Sequence, residues 1–139
     1  MPIKYDLTYA LNQVTIRELG FEAYIQTVDP TYGSEAEAEG ATPKQVQSYA
    51  APFNTTQFYT LRLAAMATDG SHSAIFEVKG QIQNLDGTVT LVGNPYYIIN
   101  QKTNNGISLQ IAVEDNIMLI KFVGLSGKTF TVKSSLEVI

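Results

Sequence analysis

From Phe58 to Ile139 apolar and polar residues alternate, and the alternation is broken at intervals by turn-forming residues. A period of two is the signature of strands with one face buried. Tyr59, Leu61, Leu63, Ala65 and Ala67 fall on one face of a first strand, before the turn Thr68-Asp69-Gly70-Ser71. Ala74, Phe76, Val78, Gly80 and Ile82 share one face of a second strand; Ser73, Glu77, Lys79 and Gln81 take the other. Asp86-Gly87 turns the chain into a third strand, Thr88 to Val92, and Gly93-Asn94-Pro95 leads to a fourth, Tyr96 to Gln101. Asn104-Asn105-Gly106 reads as a tight turn favouring positive φ. Ile107, Leu109, Ile111 and Val113 alternate up to Glu114-Asp115-Asn116. Met118, Ile120 and Phe122 follow, then Phe130, Val132, Ser134, Leu136 and Val138.

This pattern predicts about seven strands with turns every 8–12 residues, the spacing of a small sandwich or barrel. Strands covered on both faces in parallel sheets read as continuous apolar runs, so alternation predicts antiparallel pairing. The expected fold is all-β: an antiparallel β-sandwich or jelly-roll-like small barrel. Phe76, Val78, Leu109, Ile111, Ile120, Phe122, Val132 and Leu136 are its expected buried residues.

The first part of the chain is less regular, and three segments are read within a single domain of residues 1–139. Residues 1–28 form an N-terminal segment. In it Leu7, Leu11, Val14 and Glu18 have helical spacing, while Thr15 to Leu19 and Phe21 to Val28 also read as strands. Residues 29–57 read as a long loop or arm containing Pro30, Gly33, Gly40, Pro43 and Pro52. Thr42 to Tyr49 has the cap and first-turn proline of one or two helical turns. A connection this long is uncommon inside a compact domain. Its apolar residues, Val46, Tyr49 and Phe53, suggest an arm docked on a partner. Residues 58–139 form the sandwich.

Composition narrows the function classes. The 139 residues are 45% hydrophobic and only 16% charged, against about 25% charged in typical soluble domains. Such a surface is neutral and polar, or covered by other subunits. The net charge of −4 and the absence of any basic run argue against nucleic acid as a partner. With no cysteine, disulfides, thiol catalysis and zinc–thiolate sites are excluded. No stretch approaches the roughly 18–20 apolar residues of a membrane helix, so no membrane partner is expected. Met1 to Asp6 offers no signal-peptide core. Synthesis in the cytoplasm is the expectation.

Several motifs invite chemistry. Gly124-Leu125-Ser126-Gly127-Lys128-Thr129 ends like a phosphate-binding loop, but its required first glycine would stand where Phe122 is, and a strand follows in place of a helix. A turn between two strands is expected there. His72 is the single histidine and has no cysteine to join it at a metal. A solvated turn residue is expected. Glu35, Glu37 and Glu39 alternate with alanines. Together with Glu114-Asp115-Asn116 they lack the shaped framework of a calcium loop. No paired carboxylates have a context that would raise a pKa. The reading is therefore no enzyme, no catalytic or metal residues and no cofactor. Eight tyrosines without a tryptophan remain. Tyr96-Tyr97 sets one ring on each face of a strand, so one ring is exposed, as at an interface or a sugar-stacking surface. The partner-interface set is Val46, Tyr49, Phe53 and Tyr96.

From about Leu61 onward the chain resembles a small β-sandwich module of tailed-bacteriophage virion structural proteins. The residues that carry the resemblance are the Asp69-Gly70 turn, Ala74-Ile75-Phe76-Glu77-Val78-Lys79-Gly80-Gln81-Ile82, Thr90-Leu91-Val92-Gly93, Glu114-Asp115-Asn116, Phe122 through Phe130, and Leu136-Glu137-Val138. The family pattern often places a tryptophan in the last strand, where Val132 stands here. The resemblance implies a virion location and a structural role without catalytic residues. It also implies assembly, often around a threefold axis, so that a homotrimer contacting the major capsid protein or other virion proteins is expected. A capsid decoration (cement) protein whose arm lies across capsid subunits is the leading expectation. A tail-fibre or baseplate subunit comes second, and a carbohydrate-binding module is the alternative from another class.

Overall fold

A computed structural model describes residues 31–139, and the alternation is realised there as nine strands. They are β1 (Thr31–Glu39), β2 (Lys44–Tyr49), β3 (Thr55–Ala67), β4 (Ser73–Leu85), β5 (Thr88–Leu91), β6 (Tyr96–Lys102), β7 (Ser108–Glu114), β8 (Ile117–Val123) and β9 (Thr129–Val138). The helix-or-strand alternatives for residues 5–20 and the strand expected at Phe21 to Val28 lie outside the described residues.

All pairings are antiparallel. The large sheet runs β1-β9-β3-β4, and β5 and β6 both pair with β4; the small sheet runs β2-β8-β7. Local chemistry fixes two of the hairpins. Asp86 and Gly87 (φ 54° and 91°) form the two-residue loop from β4 to β5, and Asp115 and Asn116 (φ 52° and 62°) the loop from β7 to β8. Positive φ at both loop residues matches the right-handed twist of the flanking strands. The Asn104–Gly106 turn departs from expectation. Gly106 does not take positive φ, and the turn is closed by Asn104 Oδ1, which accepts from Gly106 N at 2.8 Å.

The two sheets share one core. Tyr59, Leu61, Leu63, Phe76, Val78 and Ile82 of the large sheet are buried with Met118, Ile120 and Phe122 of the small one. Phe122 and Phe130 meet across the layers with ring centroids 5.3 Å apart. Fully burying one such side chain stabilises by about 1.5–3 kcal/mol. Of the eight residues expected to be buried, six are; Leu109 and Ile111 are half-buried. They lie on β7, the outer strand of the small sheet, which meets the four-residue β5 across the core. The cover over β7 is too short to bury it.

Residues 31–57 are not an arm. β1 pairs along its whole length with β9, and β2 pairs with β8. Thr42 to Tyr49 holds no helical turn. Val46 and Tyr49 sit three apart, which suggests a helix, yet both side chains are buried in the core. A bulge between Gln45 and Gln47 adds one residue to β2 and turns both to the same face. Polar contacts then link the layers: Ser34 Oγ donates to Val46 O at 2.6 Å, and Gln47 Nε2 to Ser134 Oγ at 3.3 Å. Val46 and Tyr49 are thus internal residues, not a partner surface.

Candidate functional site

With the odd-numbered residues of β3 in the core, Phe58, Thr60, Arg62, Ala64 and Met66 form its outward row. Cross-strand register spreads this set over the large sheet. Phe58 stands beside Gln81, Arg62 between Glu77 and Ser135, and Ala64 between Ile75 and Lys133. Further out, Ile99 neighbours Glu77, and Tyr96 neighbours Lys79. Arg62 reaches Glu77 at 3.5 Å and Glu137 at 3.9 Å. Exposed pairs like these contribute little to stability.

At one end the face holds a shallow depression of about 300 Å³ lined by Arg62, Ala64, Ile75, Ile99, Lys133 and Ser135. Small side chains at Ala64 and Ser135 leave room that Ile75 and Lys133 do not fill.

At the other end the far edge of β4 forks. β6 pairs with Ala74 to Lys79 and β5 with Ile82 to Leu85, so Gly80 and Gln81 lie between them. The connection holds close to this gap, because Val92 N donates to Gln81 O at 2.9 Å. The fork frames a groove of about 450 Å³ lined by Phe58, Lys79, Gln81, Val92, Asn94 and Tyr96 among others. Tyr96 is 70% exposed and Phe58 61%. Lys79 Nζ donates to Thr60 Oγ1 at 3.2 Å.

Behind the groove the Tyr59 ring lies over Gly80, its cross-strand partner; a Cβ on Gly80 would overlap the Tyr59 hydroxyl. That hydroxyl is buried and has no hydrogen-bond partner among the described residues. Burial first, and the neighbouring Tyr97 second, push its pKa up to about 12. Tyr97 itself points inward, edge-on to Phe76 with centroids 6.3 Å apart, and burial raises its pKa as well. Tyr96-Tyr97 therefore does split across the strand.

The other residues singled out in the sequence scatter. Phe53 is 62% exposed and packs on the Asp86-Gly87 turn, whereas Tyr96 stands beside Lys79, further back along β4. Tyr49 donates its hydroxyl to Gln57 Oε1 at 2.8 Å; burial raises its pKa against the lowering effect of that bond. Gly124 to Lys128 is a turn between β8 and β9. Lys128 Nζ bonds Asp69 Oδ2 at 2.8 Å, and this contact, with the Ser71 hydroxyl and backbone amide, holds the Asp69 carboxyl well below the usual carboxylate range. The lysine thus pins two turns together. His72 Nδ1 lies 3.1 Å from Thr103 Oγ1, where the start of β4 pairs with the end of β6. Glu35, Glu37 and Glu39 line the outward face of a strand, not a loop, and Glu114 pairs with Lys121 at 3.2 Å. Among the described residues no group of three or more His, Asp or Glu converges as a metal site.

Phe58, Gln81 and Asn94 were not singled out from sequence. The signal for the first two was present: both fall on the faces opposite the core sets. The fork that joins them to Tyr96 left no such trace.

No protein-family model and no curated protein matches this chain. Among solved structures, the tailspike protein of Acinetobacter baumannii phage AM24 is similar with a TM-score of 0.45 and 9% identity, over 78% of this chain. The chain spans about a quarter of that tailspike, 26% of its length.

Proposed function

We propose that this chain is a non-catalytic structural protein of a tailed-phage virion, working by assembly into a larger particle. The observation that carries the reading is the outward face of the large sheet at the end away from the fork. Met66 and Ile75 are exposed there beside Ala64 and Ile99, around the 300 Å³ depression. Contiguous exposed apolar surface on a sheet marks a protein contact. Arg62 and Lys133 border it on one side, and Glu35 and Glu37 stand across β9 on β1. Opposite charges side by side suit a repeated contact between copies of one chain. A trimer, as the virion-module resemblance implies, is the assembly we favour.

Capsid decoration drew its support from an arm lying across capsid subunits. With residues 31–57 built into both sheets, that support is gone. A tail-fibre or baseplate position becomes the first reading and capsid decoration the second. The test is to separate purified particles into heads and tails and detect the chain by mass spectrometry. Presence in the tail fraction is expected. Presence only with heads restores the decoration reading, and absence from both removes the virion reading. Light scattering of the purified chain should give a trimer that Ile75→Arg reduces to monomers without lowering Tm. A wild-type monomer at high micromolar concentration would remove the assembly face.

A further inference from the structure

We propose that the groove at the fork between β5 and β6 is a saccharide-binding site. Its chemistry differs from that of the assembly end of the same sheet. Tyr96 and Phe58 stand two strands apart and two residues out of step, which puts their Cα atoms on the order of 12 Å apart. Both rings project from the outward face and most of each is open to solvent. A pyranose has an apolar C–H face and a rim of hydroxyls. The face can lie on an aromatic ring, and the spacing leaves room for one or two sugar units between the rings.

The polar side chains between the rings match the rim. Gln81 and Asn94 each present a carbonyl acceptor and an amide donor, as a sugar hydroxyl needs, since it both donates and accepts. Lys79 adds donors; its bond to Thr60 Oγ1 uses one and leaves two. Among the described residues lining the groove no side chain is a carboxylate, so a cation or a basic peptide finds no side-chain counter-charge there. One lysine alone is a poor site for a polyphosphate. The floor is stiff: Gly80 is held against the Tyr59 ring, and Val92 is tied to Gln81 by a backbone hydrogen bond. Rigid walls reduce the ordering cost of binding. The site belongs to the chain itself and does not rest on the virion reading.

The test is an NMR titration of the full chain with maltose, cellobiose, lactose and digalacturonic acid at millimolar concentrations. Shifts are expected at the amides of Gln81, Asn94 and Tyr96 with at least one of the four. Stronger shifts with digalacturonic acid would show that the Lys79 charge is used; equal shifts would leave the ligand neutral, and both support the site. Tyr96→Ala should weaken binding about tenfold or more, with Tm unchanged because the ring is exposed. Gln81→Ala, with an exposed side chain, should weaken it less and also keep Tm. No shift with any of the four sugars overturns the proposal. So does binding that neither variant alters, or stronger binding of uridine than of every sugar. Broadening of the same resonances with protein concentration alone, without added sugar, would assign the groove to a second copy and overturn it too. Because the isolated chain is used, failure here leaves the particle fractionation result standing, and the reverse holds.

Discussion

The two sheets use the same apolar alternation with different success. In the large sheet, β3, β4 and β9 lie side by side, and their inward residues from Leu61 to Leu136 are almost completely buried. In the small sheet the central strand reaches that state, with Met118, Ile120 and Phe122 of β8 fully covered, and β2 buries Val46 and Tyr49 nearly as well. Its other neighbour, β7, offers Leu109, Ile111 and Val113 on the same pattern, and all three stay half-buried. Alternation therefore states which face a strand turns inward. What lies opposite that face decides how far it is buried.

The largest expected effect comes from removing the strands that flank each sheet on one side. Replacing residues 31–49 with a short Gly-Ser bridge deletes β1 and β2, uncovers β9 and β8, and takes Ala38, Val46 and Tyr49 out of the core. The loss is comparable with a whole domain's stability of about 5–15 kcal/mol. Circular dichroism and NMR dispersion should report an unfolded chain. A folded product with wild-type Tm would mean that the two strands only decorate the sheets. A middle-sized effect sharpens the contrast inside the small sheet. Ile120→Ala should cost about 2–5 kcal/mol in urea unfolding, and Ile111→Ala clearly less, because part of that side chain already meets water. Equal costs would break the distinction between centre and edge. The smallest effect belongs to the large sheet. Tyr59→Phe removes a buried hydroxyl with no partner among the described residues, so its stability should stay within about 1 kcal/mol of wild type near neutral pH. At high pH the two should separate. Burial raises the folded-state pKa of Tyr59 from 10.0 to about 12, so the neutral phenol is favoured by folding. That contribution is complete below pH 10 and is lost as pH rises through about 12. The variant should lose less stability over this window, with Tyr49 and Tyr97 supplying the remaining dependence. Identical alkaline unfolding curves would show that the hydroxyl is not isolated as described.

Most of the fold was legible after Phe58, because unbroken alternation and two-residue turns are local signals. The strands of residues 31–57 were also written in the chain. Glu35, Ala36, Glu37, Ala38 and Glu39 alternate strictly, but alanine is a weak apolar marker and the prolines and glycines nearby point to a loop. In β2 the bulge converted a strand into a helix-like spacing of Val46 and Tyr49, which no local rule undoes. The candidate groove was half legible. Tyr96 could be read as exposed from its neighbour Tyr97, and Phe58 from the core set of β3. Their meeting depends on β5 and β6 sharing one edge of β4, a tertiary fact with no period of its own.

The place of β9 has a consequence for how the chain is made. It is the last of the described strands in chain order, yet it lies between β1 and β3 and is the only one of them hydrogen-bonded to β1. Until it emerges from the ribosome, β1 lacks its ladder partner among the described strands and β3 presents an open edge along nine positions. Open edges of this kind pair readily with other chains, and contacts so distant in sequence form slowly. The early hairpins can close during translation, while the large sheet waits for the ten residues of β9, Thr129–Val138. Crowded nascent chains would be most prone to mispairing in that interval, and least once β9 has slid between its two partners.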